Sequence, residues 1–550
     1  MLEGCVPWPP EFAAQYRQKG YWEDTTLREM LDQSVRRYGD KTALVFQDRR
    51  ISYLQLAAEI DRLAFRFHEV GLQAPERVVL HLPNIPEFVA TFFALLTLGV
   101  IPVLALPAHR HNEIRHFIGH SGATAYFIPA IVRDFDYRIL AQQLQAEFRH
   151  QLRHVFVAGP PLKGQLPLVS KSPARKTPAP RPNTRPDPAE VALMLLSGGT
   201  TGLPKLIPRT HNDYVCNCKL SGRVAGLDGE SVFLAVLPLA HNYTLASPGI
   251  LATLAFGGTA VIAPSTSPDV VMPLIERERV THIAAAVPLV VNWLQACTPD
   301  KYDFGSLRVV INGGARLAPA LRRRVREQFG CQIQEDFGTG EGLLNLTRLD
   351  DDEELLLNSS GAPISPDDEI KVVDEAGREL PDGESGELIC RGPYTIRGYY
   401  RAPEANAAAF TEDGFYRTGD VVRKLNRHIF TLGRKKDLIN RGGEKISAEE
   451  IENLILQHPK VDNVCVVAMP DPVYGERACA FVIPKTGQTF HFAELTDFLL
   501  RQEIAKFKLP ERLEILDRFP LSPAGKILRR ELRTTIEQKL MAERNKAMAQ

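Results

Sequence analysis

The sequence predicts an α/β protein with a large N-terminal domain, residues 1–433, and a small α+β C-terminal domain, residues 434–550. With 550 residues, the chain is too long for one simple core, because domains usually have about 100–200 residues. In the N-terminal part, short runs of continuously apolar residues alternate with helical patterns, which is typical of buried parallel sheets covered by helices. A polar, charged segment at Gly433–Asp437 then precedes a new set of helices and strands, which indicates a second domain joined by a hinge.

The N-terminal elements follow from the spacing of apolar residues. Thr42–Phe46 is predicted to be a strand, and apolar residues at helical spacing predict a helix over Leu54–Val70 that Gly71 ends. A second helix is predicted over Glu87–Leu98, closed by Gly99. Continuous apolar character predicts buried strands at Arg77–Leu82, Ile101–Leu106, Ser231–Leu237, Thr259–Ala263, Val280–Ala286 and Leu307–Ile311.

The composition and the hydrophobic pattern of the sequence change twice more along the chain. Between Gly159 and Pro188 many prolines and basic residues predict an exposed connector. From Glu369 onward, short alternating strands separated by turns predict a β-rich subdomain. In the C-terminal domain we expect a helix at Ala448–Gln457, a strand at Val464–Ala468, a helix at Phe492–Ile504 and a strand at Leu513–Ile515.

Composition excludes several classes of protein. The 66 basic side chains balance 66 acidic ones, so there is no electrostatic footprint for a nucleic acid or an anionic membrane surface. The longest apolar stretches, near Phe92–Ala108 and Ile250–Pro264, are broken before they reach the roughly 20 residues of a bilayer span. The first residues lack the basic start and apolar run of a secretory signal. Of the eight cysteines only Cys216 and Cys218 lie close together, which favours reduced thiols in a cytoplasmic enzyme over a zinc site.

A loop rich in glycine and hydroxyl groups follows the apolar residues at Met194–Leu196. Its glycines allow backbone amides to turn toward one point, its hydroxyls add donors and its lysine adds charge, which together suit a polyphosphate. The loop lacks the Gly-Lys-Ser/Thr end of a Walker A motif, and a flexible linker is the alternative interpretation. The candidate phosphate-binding residues are Ser197, Gly198, Gly199, Thr200, Thr201, Gly202 and Lys205.

The loop sequence SGGTTGLPK resembles the signature of the adenylate-forming enzymes, which include acyl- and aryl-CoA synthetases, luciferases and nonribosomal adenylation domains. Four further stretches resemble that family's motifs, in the family's order and across nearly the whole chain: FGTGEGL (Phe337–Leu343), FYRTGD (Phe415–Asp420), GRKKDLINRGGEKI (Gly433–Ile446) and SPAGKILRR (Ser522–Arg530). The resemblance implies an adenylate-forming N-terminal domain of two parallel-sheet α/β subdomains plus a β-rich subdomain, with a mobile C-terminal lid.

Within this family the chain looks closest to stand-alone aryl-acid adenylating enzymes of siderophore assembly, notably at Leu237–Gly249 and Lys205–Tyr214. Such enzymes make 2,3-dihydroxybenzoyl-AMP or salicyl-AMP and pass the acyl group to an aryl carrier protein. The resemblance therefore implies ATP and Mg²⁺ as cofactors, and an aryl acid and a phosphopantetheinylated aryl carrier protein as partners, with no nucleic acid or membrane. No carrier signature follows Arg530, so we expect a free-standing ligase.

The resemblance also implies roles for single residues around the nucleotide. Thr200, Thr201 and Lys205 would hold the β- and γ-phosphates, Glu341 would hold Mg²⁺, and Asp420 would accept the ribose hydroxyls. Without the motifs around them, a glutamate would be taken for a solvated surface residue and Phe337 for core packing. The remaining nucleotide-binding residues expected are Gly314, Ala315, Glu335, Phe337, Gly338 and Arg434.

Lys526 is the principal catalytic prediction, together with Glu341 and His241. In the family, the lysine of this motif lies between the acid carboxylate and the α-phosphate, where a positive charge lowers the barrier to adenylation. Lys436 occupies the family's hinge position. Gly442 and Gly443 would line the tunnel for the phosphopantetheine arm, although an ordinary turn is the alternative.

The predicted acid pocket contains His241, Asn242, Tyr243, Ser247, Asp336 and Leu344. Asn242 replaces the aspartate that pairs with an α-ammonium group in amino-acid-activating relatives, so a standard amino acid is excluded. Ser247 favours 2,3-dihydroxybenzoate, whereas Leu344 favours salicylate. Asp336 stands where both groups carry an apolar residue, and a buried carboxylate needs a donor from a substrate amino or hydroxyl group, a neighbouring side chain or water.

Two other functions remain open at this point. An aryl-CoA ligase would use the same adenylation residues and a free thiol acceptor. A noncatalytic nucleotide-binding protein on this fold would be expected to lack Glu341, Asp420 or Lys526, and all three are present.

Overall fold

The computed structural model describes residues 1–169, 185–197, 204–297, 301–441, 444–502, 504, 506–522 and 526–548, leaving out the side chains of 436, 440, 444, 445 and 544–548. Most of the predicted loop between Ser197 and Lys205 and half of the predicted connector, residues 170–184, therefore lie outside the described residues.

The helices of the described chain are α1 (Pro10–Gln18), α2 (Leu27–Tyr38), α3 (Tyr53–Glu69), α4 (Pro86–Thr97), α5 (His111–Ser121), α6 (Tyr137–Glu147), α7 (His211–Val224), α8 (Asn242–Ala246), α9 (Gly249–Ala255), α10 (Pro268–Glu278), α11 (Val287–Ala296), α12 (Pro319–Phe329), α13 (Glu353–Asn358), α14 (Pro403–Ala409), α15 (Ala448–Ile455), α16 (Phe492–Arg501) and α17 (Arg529–Met548). Short 3₁₀ helices span Lys435–Asp437 and Lys506–Lys508. In the described residues, no helix combines the length and the apolar character needed to cross a bilayer.

The strands are β1 (Thr42–Phe46), β2 (Arg49–Ser52), β3 (Arg77–Leu80), β4 (Ile101–Leu104), β5 (Ala125–Pro129), β6 (Ile131–Val132), β7 (Phe135–Asp136), β8 (His154–Ala158), β9 (Leu166–Pro167), β10 (Val191–Leu196), β11 (Leu206–Thr210), β12 (Val232–Ala235), β13 (Thr259–Ile262), β14 (His282–Ala285), β15 (Val309–Gly313), β16 (Gln332–Gly338), β17 (Leu344–Leu346), β18 (Ala362–Pro363), β19 (Glu369–Val373), β20 (Ser385–Arg391), β21 (Tyr416–Leu425), β22 (His428–Arg434), β23 (Ile439–Arg441), β24 (Glu444–Ile446), β25 (Val461–Asp471), β26 (Gly475–Pro484) and β27 (Arg512–Ile515).

The described residues form four larger sheets and a two-stranded one, β6-β7. A nine-stranded sheet has the order β18-β17-β16-β15-β14-β12-β13-β1-β2 and is parallel from β16 to β1. A seven-stranded sheet has the order β11-β10-β4-β3-β5-β8-β9 and is parallel except for β11. Strands β19 to β22 form an antiparallel sheet, and the C-terminal strands form a sheet of their own, β24-β23-β26-β25, with β27 beside β26. The predicted fold class, an α/β protein with a smaller C-terminal domain, is confirmed.

The main hydrophobic core lies between the two parallel sheets. Helices α3, α4, α7 and α9 contribute side chains to it, together with one face of each sheet. Apart from Glu87, every residue of α4 is buried, which explains why its sequence is apolar on all sides. Helices α10 to α12 cover the other face of the nine-stranded sheet, and α5 and α6 cover the other face of the seven-stranded one.

The hydrophobic clusters divide close to the predicted domain boundary. The N-terminal clusters extend as far as Ile429, whereas the two C-terminal clusters begin at Ile439 and contain residues of α15, α16, α17 and their sheet. The predicted boundary at residues 433 and 434 falls in this gap and stays a prediction.

One expectation is wrong in its first part. Residues 159–188 were expected to be exposed, yet Leu168 is fully buried in the main core and Leu166–Pro167 pairs with β8. The reason is that the apolar pattern of residues 166–168 outweighs the prolines around it. The part at 170–184 lies outside the described residues.

A buried ion pair joins β11 to α7 and supports the chain near Glu341. The fully buried Arg209 pairs through Nε with Asp213 Oδ1 at 2.7 Å and donates to the backbone oxygens of Gly340 and Tyr394 at 3.0 and 3.1 Å. Asp213 also accepts hydrogen bonds from the backbone N–H and the hydroxyl of Thr210. Arg209 therefore ties three segments together at one buried point.

We predict that Arg209→Met destabilises the protein by about 3–5 kcal/mol, because it leaves the Asp213 carboxylate buried without its cation. Differential scanning calorimetry would measure the loss. The double variant Arg209→Met/Asp213→Asn removes the uncompensated charge and should recover part of the lost stability. An unfolding temperature of the single variant equal to that of the unaltered protein would contradict the prediction.

Candidate active site

The predicted site residues gather at the carboxyl ends of parallel strands in the nine-stranded sheet. His241 and Asn242 follow β12, Gly314 follows β15, and Asp336 lies at the end of β16. Loops at the carboxyl ends of neighbouring parallel strands form a crevice, which is where ligands bind in open α/β sheets. The fold thus brings together residues separated by almost a hundred positions.

The predicted phosphate loop is closed at its base by two hydrogen bonds. The backbone N–H of Ser197 donates to the Lys205 oxygen, and the Lys205 N–H donates to Ser197 Oγ, both at 2.9 Å. The loop residues Gly198, Gly199, Thr200, Thr201 and Gly202 lie outside the described residues, so their predicted role stays a prediction. Lys205 Nζ lies 4.7 Å from the centroid of the Tyr399 ring.

Tyr399 connects this loop to Glu341. Its hydroxyl donates a hydrogen bond of 2.8 Å to Glu341 Oε1, and in the described part of the chain Glu341 Oε2 has no hydrogen-bond partner. The backbone N–H of Ile396 donates to the backbone oxygen of Glu341 at 2.8 Å, which fixes the main chain at Glu341. Gly342 has φ +154°, and a Cβ there would lie 2.8 Å from the Tyr394 oxygen, so only glycine fits. The sequence analysis assigned no role to Tyr399.

Asp420 and Arg434 face each other across β21 and β22. Arg434 Nε lies 2.7 Å from Asp420 Oδ1, and the Arg434 guanidinium also donates to the Thr418 oxygen at 3.0 Å. Burial raises the pKa of Asp420 to about 6, although the neighbouring Arg434 opposes the rise. Asp420 Oδ2 is buried and has no hydrogen-bond partner among the described residues, so it is available to a ligand.

Lys526 reaches this cleft from the C-terminal sheet and helices. A Cβ placed on Gly314 would lie 3.2 Å from Lys526 Cε and 3.7 Å from Nζ, so the side chain lies directly over the loop after β15. Desolvation in the cleft and the Arg434 charge lower the pKa of Lys526, while Asp420 opposes them. The Lys526 N–H donates to Ser522 Oγ at 3.0 Å, and the Ser522 N–H donates to the Lys526 oxygen at 2.7 Å.

The loop after β15 is held by a buried network around Glu335. The Glu335 carboxylate accepts hydrogen bonds of 3.1 Å from Asn312 Nδ2 and from the Leu317 N–H, and it lies 3.0 Å from the Arg322 guanidinium. The carboxylate therefore supports the loop that carries Gly314 and Ala315, and only the backbone of Glu335 is left to border a base. Phe337, half-buried, is the next aromatic group along the strand.

A chain of hydrogen bonds lines the predicted acid pocket. The Tyr214 hydroxyl donates to Asn242 Oδ1 at 2.7 Å, and Asn242 Nδ2 donates to Ser247 Oγ at 3.2 Å. His241 Nδ1 accepts from the Tyr243 N–H at 3.2 Å and caps α8. Burial, helped by the Lys526 charge, lowers the pKa of His241 to about 4, so the imidazole is neutral at pH 7. The sequence analysis had not assigned Tyr214 a role.

The floor of the pocket is formed by β15, β16 and β17. The Tyr243 hydroxyl donates to the Ile311 oxygen at 2.7 Å, and its ring covers Gly313, where a Cβ would lie 2.7 Å from a ring atom. Asp336 is the partner of Gly313 in the parallel register, so its side chain is on the same face of the sheet as the Tyr243 ring. Leu344 opposes Gly338 on that face.

The predicted hinge and tunnel are only partly described. Lys436 lies in the 3₁₀ helix Lys435–Asp437, directly after β22. Its side chain, together with Gly442 and Gly443, lies outside the described residues, and their predicted roles stay predictions.

No three His, Cys, Asp or Glu side chains among the described residues converge as a metal-binding group. A site built from Glu341 alone is nevertheless of the kind that suits Mg²⁺, which is often bound by one or two carboxylates together with substrate phosphates. Glu341 Oε2, for which the described residues provide no hydrogen-bond partner, fits that role, and Oε1 is held by the Tyr399 hydroxyl.

Family models, curated relatives and a solved structure all indicate the same family for this chain. A model of the family described as AMP-binding enzyme matches residues 31–400, and the AMP-binding enzyme C-terminal domain matches residues 450–526. The 2,3-dihydroxybenzoate-AMP ligase of Bacillus subtilis (strain 168) is 47% identical over 544 residues, covering 98% of this chain and 99% of that protein. A salicylyl-CoA synthase / salicylate adenylyltransferase of a Streptomyces species is 44% identical, covering 98% of each. The apo structure of Mycobacterium smegmatis MbtA is 40% identical with a TM-score of 0.74, covering 96% of this chain and 98% of that one.

The proximity of His241 to Lys526 gives a prediction about the titration of His241. Its pKa should lie near 4 and should rise in Lys526→Met, because the variant removes a positive charge that disfavours the imidazolium. NMR of histidine-labelled protein, with the signal assigned through His241→Asn, would measure both values. The matched variant Lys485→Met changes an exposed lysine and should leave the pKa of His241 unchanged. An identical pKa in the Lys526→Met variant would contradict the arrangement.

Proposed function

This chain belongs to the family of AMP-binding enzymes, and we propose that it joins an aryl acid to AMP at the expense of ATP, releasing pyrophosphate. The acyl group then passes to the phosphopantetheine thiol of an aryl carrier protein in siderophore or nonribosomal peptide assembly. The observation that carries this proposal is the convergence of Lys526, the Asp420–Arg434 pair and the Asn242–Ser247 pair at one cleft. The relatives named for 2,3-dihydroxybenzoate and salicylate support the choice of acid class.

The chemistry requires two negatively charged reactants to meet. A carboxylate attacks the α-phosphorus of ATP, so the enzyme must neutralise charge and fix the direction of attack. We assign Lys526 to stabilise the charge that develops between the acid and the α-phosphate. Its lowered pKa shows that the surroundings, including the Arg434 charge, disfavour the free ammonium, which an anionic substrate would stabilise. Lys205, Thr200 and Thr201 are proposed to hold the outer phosphates.

Mg²⁺ is proposed to bind Glu341 through Oε2, with Tyr399 orienting the carboxylate through Oε1. When bound, the ion would neutralise phosphate oxygens and the departing pyrophosphate. Asp420 is proposed to accept the ribose hydroxyls through its unpartnered Oδ2, while Arg434 holds Oδ1 and keeps the carboxylate in place. Gly314 and Ala315 would border the adenine together with Phe337.

The pocket favours an acid with hydroxyl groups beside its carboxyl group. Asn242 Oδ1 is occupied by Tyr214, which leaves one amide N–H of Asn242 free to donate to the ortho oxygen of the acid. Ser247 Oγ accepts from Asn242 and keeps its own hydrogen for a second ring hydroxyl. We therefore favour 2,3-dihydroxybenzoate, with salicylate as the alternative.

A second candidate function is an aryl-CoA ligase, favoured by the relative named as a salicylyl-CoA synthase. Both functions share the adenylation step and differ in the thiol that accepts the acyl group. A noncatalytic role is opposed by the presence of Glu341, Asp420 and Lys526 in one cleft.

ATP–pyrophosphate exchange dependent on an aryl acid tests the proposal. We expect exchange with 2,3-dihydroxybenzoate or salicylate and none with amino acids. Lys526→Ala should slow it by about 10²–10³-fold, whereas the exposed control Lys485→Ala should not. Acyl transfer to a phosphopantetheinylated aryl carrier protein, compared with free coenzyme A, separates the two candidate functions. Absence of exchange with every aryl acid would refute both.

The raised pKa of Asp420 predicts a pH dependence of ATP binding. Below about pH 6 the carboxyl group is protonated and loses its strength as an acceptor, so the KM for ATP should rise about tenfold between pH 7 and pH 5. Asp420→Asn should have a high KM at both pH values, which also corrects for the titration of ATP itself. An equal pH dependence in the variant would contradict the role of Asp420.

A further inference from the structure

The carboxyl group of Asp336 lies on the pocket floor, and the described residues provide no donor to its Oδ1. Its side chain is only 6% exposed, and Oδ1 is buried with no hydrogen-bond partner in the described part of the chain. Burial and the neighbouring Glu335 raise the pKa of Asp336 well above its usual range. A buried polar group without a partner has lost its hydration with nothing in exchange, so this position is unfavourable in the free protein.

The other buried carboxyl groups nearby are anchored. Glu335 accepts hydrogen bonds from Asn312 and Leu317 and forms an ion pair with Arg322. Asp213 accepts hydrogen bonds from Arg209 and Thr210. These residues have structural partners that explain why an acid is present. Asp336 has no such explanation in the described residues, which indicates that its partner is a bound molecule.

The surroundings of Asp336 place it on the surface that an aryl acid would contact. In the register of the sheet it is beside Gly313, whose missing side chain leaves room for the Tyr243 ring. On the other side, a Cβ at Gly338 would lie 3.3 Å from Asp336 Oδ1, so no side chain separates the carboxyl group from the end of the strand. Tyr243 directly follows Asn242, the residue that begins the polar side of the pocket. Asp336 is therefore an acceptor on the floor of a pocket whose side is lined by Asn242 and Ser247.

We propose that the aryl acid bears an amino group on its ring and that this group donates a hydrogen bond to Asp336 Oδ1, which makes Asp336 a specificity-determining residue. This inference rests on the proposed function and goes further on the identity of the acid: a hydroxybenzoate held by Asn242 and Ser247 would carry, in addition, a ring amino group that faces Asp336. An aromatic amino group has two N–H donors, and its lone pair is delocalised into the ring, so it is mainly a donor. A ring hydroxyl next to the acid carboxylate uses its only hydrogen there, and a hydroxyl elsewhere on the ring offers one hydrogen where an amino group offers two.

The proposed hydrogen bond should make the protein use amino-substituted acids much better than methyl-substituted acids of similar size. A site built to hydrogen-bond a substrate N–H rejects an analogue without it strongly, because the acceptor is left buried and unpaired. An apolar floor, in contrast, distinguishes substituents of similar size only weakly. The identity of residue 336 should therefore decide the ranking of ring substituents.

The test compares hydroxybenzoates that carry an amino, a hydroxyl or a methyl group at each free ring position, in ATP–pyrophosphate exchange. At the position facing Asp336, we expect the unaltered protein to prefer the amino compound over the methyl compound by about 100-fold or more in kcat/KM. Asp336→Val should reduce that ratio to about tenfold or less and should improve exchange with the methyl compound. Leu344→Val changes the size of the same floor without changing its charge, and should keep the amino preference.

A measurement without substrate provides a second readout. Asp336→Val should raise the unfolding temperature by about 1–3 °C, because it removes the unpaired carboxyl group from the apo protein. A folded Asp336→Val variant with the same substituent ranking as the unaltered protein would overturn the inference and leave the proposed function standing. An Asp336-dependent preference for the hydroxyl over the amino compound would also overturn it. Absence of exchange with all acids in all variants would refute the proposed function together with the inference.

Discussion

The electrostatics of desolvated carboxyl groups is the constraint on which the rest of the site depends. Four acidic side chains, Glu335, Asp336, Glu341 and Asp420, lie at the cleft and are all buried. Each behaves according to what faces it: Arg322 neutralises the first, a tyrosine hydroxyl orients the third, and Arg434 holds one oxygen of the fourth. Asp336 alone has no partner among the described residues. A buried carboxyl group must have a partner in the protein, take up a proton or bind a ligand. Glu335, Glu341 and Asp420 have partners in the protein, and Asp336 is the one for which a ligand is proposed.

The two parallel sheets make this arrangement possible. Strands that run in the same direction end at one edge, so short segments from distant parts of the chain meet there while the helices between them fill the core. The network of Glu335 with Asn312, Leu317 and Arg322 then fixes the shape of the loop after β15. Lys526 contacts that loop from the C-terminal part of the chain, so the buried network around Glu335 supports the backbone that the lysine contacts.

The sequence predicted the fold class and the strands of continuous apolar character, because buried parallel strands leave a signal that does not depend on tertiary detail. The ordered motifs also predicted which residues lie at the cleft, although the roles of those residues stay predictions. Tyr214 and Tyr399 were not predicted, since each is positioned only by tertiary contact and a tyrosine in an apolar helix or loop is usually core. The short strand β9 and the buried Leu168 that follows it were missed for the opposite reason: the composition of the whole stretch concealed a short apolar segment. Sequence alone indicated that Asp336 needed a donor, but only the register of β15 and β16 excluded the neighbouring strand as its source.

Lys526, which is proposed to act in the adenylation step, lies in the part of the chain that packs on the C-terminal hydrophobic clusters and not in the N-terminal core. Its side chain contacts the cleft at Gly314, whereas its helix and sheet pack on the C-terminal clusters that begin at Ile439. On the proposed function, ATP and the acid need this ammonium, but a thiol arriving later needs the space that it occupies. A lysine fixed in the N-terminal sheet could not satisfy both requirements, since removing it would disrupt the core. We propose that rotation about the predicted hinge in the short 3₁₀ helix Lys435–Asp437 would carry the charge away from the cleft while the side chains within each hydrophobic cluster stay packed together.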